Sequence, residues 1–222
     1  MINLAYNVAL VGTGVVGKTI LEVMEERNFP IKNLKLLATK RSAGKKISYK
    51  NMDITIEETT EKAFLGVDLA LFAGGSASRE FAKNAIRKGA VVIDNSSAFR
   101  LDDEVPLIVP EVNPEDIKDH QGLIANPNCS TIQMAVALKP IYDTFGIERV
   151  IVSTYQAVSG AGQKAMDELV TQTQQVLANQ PVEPVNFQHQ IAFNLIPHID
   201  QFMDNDYSRE EMKMVNETRK MF

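Results

Sequence analysis

The run Gly12-Thr13-Gly14-Val15-Val16-Gly17 constrains the fold more than any other stretch of this chain. An apolar segment, Asn7 to Val11, precedes it, and a helical pattern with Ile20, Leu21, Val23 and Met24 follows. G-x-G-x-x-G between a strand and a helix is the dinucleotide fingerprint in the setting it requires. Gly12 permits the tight turn, Gly14 lets a pyrophosphate approach the backbone, and Gly17 lets helix and strand pack closely. The helix N-terminus then faces the phosphates. The plainer alternative is a glycine-rich βα turn with no ligand.

The alternation continues. Leu34 to Ala38 reads as a second strand. An NAD-binding unit expects an acidic residue near its end for the ribose 2′-hydroxyl, yet no Asp or Glu occurs from Asn28 to Met52. Arg41 and Ser42 stand there instead and suit a 2′-phosphate, so NADP is preferred over NAD; a solvated basic loop is the alternative. Residues 53–66 read as a strand and a short helix. Val67 to Phe72 is a continuous apolar strand, as in a parallel sheet buried on both faces. The small-residue turn Gly74-Gly75-Ser76-Ala77-Ser78 then leads to a helix from about Arg79 to Lys88, with Gly89 as its C-cap. Ala90 to Asp94 is the next strand, running into Asn95 and on to Arg100. This order predicts a doubly wound α/β domain with ligands at the carboxyl ends of its strands. Arg100 lies at one such end, and its guanidinium is a planar fork suited to phosphate or carboxylate. A surface arginine in a loop is the competing reading.

The only cysteine, Cys129, lies in Asn126-Pro127-Asn128-Cys129-Ser130-Thr131. A strand, Gly122 to Ala125, precedes it and a helix, Thr131 to Phe145, follows. Thiolate is the reactive form of cysteine, and a helix start favours negative charge. A buried structural thiol is the alternative. Next comes a predicted long strand, Arg149 to Val158, carrying Gln156. Ser159-Gly160-Ala161-Gly162 is a second glycine-rich loop and opens a helix to about Asn179. The last helix starts at Ser208, which forms a capping-box pair with Glu211. Glu210 and Lys213 share a face of it.

Composition excludes several classes. Apolar residues make up 45% and charged residues 23% of the 222, an ordinary soluble balance. A net charge of −5 argues against nucleic acid or an anionic membrane as a general partner. The apolar runs are too short to span a bilayer, and Met1 to Asn7 lacks the pattern of a signal peptide. One cysteine makes neither an intrachain disulfide nor a cysteine metal cluster. His120, His189 and His198 have no metal-ligand partner at helical spacing, so no metal site is expected. A cytoplasmic location is the inference.

Taken together, the chain resembles bacterial-type aspartate-β-semialdehyde dehydrogenases from about Val8 to its last residue. The likeness rests on Gly12 to Gly17, Arg41 to Lys45, Asp94 to Arg100, Val109 to Asn113, Asn126 to Thr131, Ser153 to Gly162, and Asp204 to Tyr207 with Glu210 to Lys213. It implies a doubly wound Rossmann-type NADP-binding domain over residues 1–133 and an incomplete α+β catalytic and dimerisation domain over 134–222. The implied chemistry is phosphate-dependent, NADP(H)-linked interconversion of aspartyl phosphate and aspartate semialdehyde, in the supply of lysine (through diaminopimelate), threonine and methionine. By resemblance Cys129 is the nucleophile and Gln156 orients the substrate. Arg100 and Lys213 bind phosphate or substrate, and Glu210 contacts the substrate amino group. Thr13, Gly14, Val15, Val16, Arg41, Ser42, Ser76, Ser159 and Gly160 are placed as cofactor contacts. Independently of the resemblance, Asn128 and the helix-start amides after Cys129 are expected to stabilise the developing oxyanion. The complete enzyme is expected as a homodimer or homotetramer.

The resemblance also marks departures. It implies a general-base histidine and a carboxylate-binding arginine beyond residue 222, and a segment longer than Asn179 to Gln190. The chain by itself is therefore expected to turn over poorly. Rival expectations are an N-acetylglutamyl-phosphate reductase type of acyl-phosphate reductase, a non-catalytic NADP-binding module, and a fragment not stable alone.

Overall fold

The computed structural model describes residues 5–222. Of the N-terminal stretch read against a signal peptide, Met1 to Leu4 lie outside the described residues. The chain divides into two compact units: residues 5–148 together with Lys213–Phe222, and Arg149–Met212. Among the described residues, no helix is long and apolar enough to cross a membrane.

The first unit is built on a seven-stranded sheet: β1 (Tyr6–Val11), β2 (Ile31–Ala38), β3 (Lys46–Tyr49), β4 (Met52–Glu58), β5 (Leu69–Phe72), β6 (Val91–Asp94) and β7 (Leu123–Ala125). The strand order is β3-β4-β2-β1-β5-β6-β7. All pairs are parallel except β3 with β4. The predicted doubly wound fold is therefore present, and its topological switch lies between β1 and β5. β1 alternates its side chains between two cores. Val8 and Leu10 pack with Leu36, Ile56 and, from α1 (Val15–Glu26), Leu21 and Met24. Ala9 and Val11 pack with Phe64, Phe72 and, from α2 (Gly75–Arg87), Ala82 and Ala85. Burial on both faces explains why these strands are continuously apolar.

The register lines up the strand ends. Val11 lies opposite Leu37 and Phe72, Phe72 opposite Asp94, and Asp94 opposite Ala125. The ladder continues one step beyond each end. Gly12 donates its N–H to Leu37 at 2.8 Å, Ala73 to Val11 at 2.8 Å, Asn95 to Phe72 at 2.9 Å and Asn126 to Asp94 at 2.8 Å. The turns that carry Gly12, Gly74, Asn95 and Asn126 thus leave the sheet along one edge.

Three elements differ from expectation. Helix α2 begins at Gly75, four residues before the expected Arg79. Gly and Ser are weak helix formers, but Ser78 is fully buried and its hydroxyl donates to Asp94 Oδ1 at 2.6 Å. That tertiary bond fixes the first turn. Strand β3 has no counterpart in the expectation: it pairs with β4 through a turn in which Lys50 and Asn51 both take positive φ. The pair Lys-Asn carries a weaker hairpin signal than Asn-Gly. The long strand expected over Arg149 to Val158 is absent. Residues 149–157 form no ladder among the described residues, and Ile151 and Tyr155 are 86% and 89% exposed. Strand propensity is realised only by pairing with a neighbour.

The remaining helices are α3 (Cys129–Phe145), α4 (Gln163–Leu177) and α5 (Arg209–Met221). In the second unit, α4 tethers the loop after it. Glu168 accepts from Val185 N–H at 2.8 Å and Asn186 N–H at 2.6 Å, and Gln172 accepts from Ile191 N–H at 2.8 Å. The capping box at α5 is formed as read: Ser208 N–H donates to Glu211 Oε2 at 2.6 Å, and Glu211 N–H to Ser208 Oγ at 3.3 Å.

Candidate active site

The glycine turn after β1 is shaped for close approach. Gly12 takes φ +99°, where a side chain is strained. A Cβ on Gly17 would stand 1.9 Å from the Gly12 carbonyl oxygen, so the α1 packing seen here excludes any other residue. A Cβ on Gly14, by contrast, would meet nothing within 4 Å. Gly14 is also the N-cap of α1 and provides no side-chain cap. The helix therefore presents its first amides into open space, which is the cradle that a pyrophosphate requires.

Arg41 and Ser42 follow the end of β2 in a turn closed by Ser42 N–H to Thr39 O at 2.8 Å. Arg41 is exposed and Ser42 half-buried. Because β2 neighbours β1, this cation stands at the strand beside the glycine turn. Ser76, exposed, lies in the first turn of α2, whose N-cap Gly74 likewise offers no side-chain cap.

Cys129 is the first residue of α3 and is exposed. Asn128 is its N-cap, with Oδ1 accepting from Ser130 N–H at 3.0 Å. The buried-thiol alternative is thereby removed, and the Cys129 turn stands on the same sheet edge as the glycine turn. The Asn126 side chain donates to Asn95 Oδ1, joining the turns after β7 and β6. Asp94 stiffens that second turn by accepting from Ser96 N–H at 3.0 Å and Ser96 Oγ at 2.7 Å.

Arg100 is 8% exposed, not a surface residue. Its Nη1 donates to Glu217 Oε1 and its Nη2 to the Asn95 carbonyl, both at 3.0 Å. Its Nε is buried with no hydrogen-bond partner in the structure. A buried donor left unsatisfied is unusual, and an anion at this guanidinium is the chemistry it suits.

In the second unit, Gln156 and Glu210 are brought together: Gln156 Nε2 donates to Glu210 Oε1 at 3.2 Å. Thr154 Oγ1 donates to Gln156 Oε1 at 2.9 Å and fixes the amide's orientation. Glu210 is 8% exposed. Ser159 and Gly160 occupy a short turn, Val158–Ala161, before Gly162, which has φ +86° and starts α4 without a side-chain cap. Lys213, the first residue of the part of α5 that belongs to the first unit, follows Glu210 by three residues and is half-buried.

Two family models cover most of the chain: "Semialdehyde dehydrogenase, NAD binding domain" over residues 7–120 and "Semialdehyde dehydrogenase, dimerisation domain" over residues 138–222. Aspartate-semialdehyde dehydrogenase of Bacillus subtilis is 53% identical over 97% of this chain and 65% of its own length. The chain belongs to the aspartate-semialdehyde dehydrogenase family. The crystal structure of aspartate semialdehyde dehydrogenase II from Vibrio cholerae complexed with ASA superposes with a TM-score of 0.95 at 53% identity, covering 99% of this chain and 66% of that one. A Candida albicans aspartate semialdehyde dehydrogenase, solved with NADP, gives a TM-score of 0.56 at 27% identity, covering 65% of this chain and 48% of that one. The chain thus spans about 65% of the length of the Bacillus subtilis relative.

Within this aspartate-semialdehyde dehydrogenase scaffold, two residues not singled out in the sequence stand at the centre of the first unit. Glu217 is 1% exposed; besides Arg100, it accepts the N–H of Asn128 on Oε2 at 2.6 Å. Lys220 donates to the carbonyls of Arg100, Asp102 and Val105. Burial pulls its ammonium below the usual lysine range, while Asp103 and Asp102 oppose that. The available signal was the helix period. Glu210, Met214, Glu217 and Met221 recur at four and three residues and are the buried positions of α5. A glutamate on an apolar stripe is a buried charge that needs a partner.

Proposed function

We propose that this chain carries the nucleophile and the dinucleotide site for NADP(H)-linked, phosphate-dependent interconversion of L-aspartyl 4-phosphate and L-aspartate 4-semialdehyde. The observation that carries the reading is the exposed Cys129 at the first residue of α3, on the sheet edge that also presents Gly12 to Gly17. The Vibrio cholerae relative with ASA and the Candida albicans relative with NADP support it.

In the reductive direction the Cys129 thiolate attacks the acyl carbon. The C–O bond to phosphate breaks, inorganic phosphate leaves with the bonding pair, and a thioester forms. Covalent catalysis of this kind splits one difficult step into two easier ones. Asn128 and the first amides of α3 stabilise the developing oxyanion. Arg100, with its buried unsatisfied Nε, receives anionic oxygens of phosphate or substrate, and Lys213 adds a second cation. Gln156 orients the acyl group, and Glu210 takes the substrate ammonium. Thr13 to Val16 and Ser76 would hold the dinucleotide, with Ser159 and Gly160 as further contacts by resemblance, and when bound it would supply the hydride that brings the thioester to the aldehyde level. Arg41 and Ser42 select its 2′-phosphate. The Cys129 sulfur is then expelled as the aldehyde leaves.

The functional division is 1–133 for the dinucleotide and 134–222 for catalysis and dimerisation. His120 Nδ1 accepts Gly122 N–H at 3.0 Å, and His198 pairs with Gln188 at 3.1 Å.

The test is intact-protein mass spectrometry after mixing with aspartyl phosphate in the absence of dinucleotide. An acyl adduct on Cys129, missing in Cys129→Ser, is expected. No adduct, or an adduct elsewhere, overturns the nucleophile assignment.

A further inference from the structure

Glu217 stands between the two groups the proposed chemistry uses most. Its Oε1 holds Arg100 Nη1 at 3.0 Å, and its Oε2 holds the backbone N–H of Asn128 at 2.6 Å, one residue before Cys129. Both contacts are buried: the Arg100 and Glu217 side chains are 9% and 2% exposed. One carboxylate therefore sets the spacing between the guanidinium and the start of α3. A bidentate bridge of this kind also fixes the charge balance, since a buried cation with its counter-ion is neutral as a pair. Lys220, which follows Arg219 in the last turn of α5, is engaged by the carbonyls of Arg100, Asp102 and Val105, with Asp102 and Asp103 near it. It grips the same loop from the backbone side and makes no bond to the nucleophile turn. Lys213 lies one helical turn before Glu217 on α5.

We propose that Glu217 is a positioning residue for the nucleophile: its carboxylate ties the backbone N–H of Asn128, one residue before Cys129, to Arg100 and cancels the charge of that arginine beside the nucleophile turn. The proposal rests on the reading of Cys129 as nucleophile. Its test needs no turnover, so the two can fail separately.

Cys129 is the only cysteine, so alkylation by iodoacetamide reports on it alone. The rate is measured against pH for the wild-type chain, Glu217→Gln, Glu217→Asp and Lys220→Met, after thermal melts establish that each is folded. Glu217→Gln leaves Arg100 uncancelled, and a nearby cation favours thiolate. Its alkylation profile is expected to move to lower pH by about half a unit or more. Glu217→Asp, which keeps the charge, returns most of the way to wild type. Lys220→Met, which loosens the loop without touching the nucleophile turn, lowers the melt but leaves the profile in place. A Glu217→Gln profile that overlays the wild type or moves upward overturns the proposal, as does an equal shift in Lys220→Met. Should Glu217→Gln not fold, Arg100→Gln is compared with Arg100→Gln/Glu217→Gln. The single variant leaves an uncancelled carboxylate and is expected to move the profile up, and the double to bring it back. Coincident profiles overturn the proposal. An unreactive wild-type Cys129 fails the nucleophile reading instead, whatever the variants do.

Discussion

Gln156 and Glu210, 54 residues apart in sequence, are joined by a 3.2 Å hydrogen bond from the Gln156 amide to the Glu210 carboxylate. Gln156 is exposed and lies in irregular chain, while Glu210 is buried in the first turn of α5. The pair gives an otherwise unstructured segment one fixed side chain.

From this pair, Gln156→Ala is expected to slow acylation of Cys129 by aspartyl phosphate by roughly 10- to 100-fold, the range of a hydrogen bond to a charged group. The melting temperature should barely move, because an exposed side chain contributes little to stability. Stopped mixing with mass detection of the adduct measures the rate. An unchanged rate removes Gln156 from the site.

Gly17→Ala tests the dinucleotide cradle. The new Cβ would meet the Gly12 carbonyl oxygen at 1.9 Å, and that oxygen belongs to backbone, which yields poorly. The helix must shift, at a cost of about 1–3 kcal/mol in stability. NADPH affinity should fall by more than tenfold, because the α1 amides move with the helix. Fluorescence titration reads this directly. Wild-type affinity in a folded Gly17→Ala chain refutes the cradle.

Arg41→Ala tests cofactor choice. A guanidinium-to-phosphate contact contributes about 1.5–3 kcal/mol, so NADPH binding should weaken by roughly 10- to 100-fold. NADH binding, which lacks the 2′-phosphate, should stay as it is. Parallel loss for both dinucleotides contradicts the assignment.

Much of this was legible in the sequence because it is local. The glycine turn, the Ser208–Glu211 box and the cysteine at a helix start each depend on residues within a few positions of one another. What stayed hidden is tertiary. Glu217 reads as one more charge on a polar helix until Arg100, 117 residues away, is seen against it. Ser78 and Asp94 start α2 early through a bond that no propensity contains. Arg149 to Val158 carries the apolar and β-branched pattern of a strand, but pattern specifies a face to be buried, not the partner that buries it. Arg100 was read as either a surface arginine or an anion site, and its burial against Glu217 could not be anticipated from the loop around it.

Glu168 supplies the pH dependence. Burial pushes its carboxyl up, but the N–H groups of Val185, Asn186 and Phe187, with the Asn186 side chain, outweigh that and hold it below the usual carboxylate range. A carboxyl depressed on folding contributes stability above its unfolded value, near 4.3, and loses it as pH falls through the folded value. Acid should therefore release the loop that Glu168 holds. Amide exchange is the measurement: protection at Val185 and Asn186, which donate to the carboxylate, should fall on acidification below about pH 4. Protection at Ile191 and Ala192, which donate to the neutral Gln172 amide, should outlast it. In Glu168→Gln the Val185 and Asn186 amides should already be weakly protected at neutral pH and change little with acid, because the titrating group is gone. If all four amides open together at every pH, the loop is held as one body, and the Glu168 carboxylate is not its anchor.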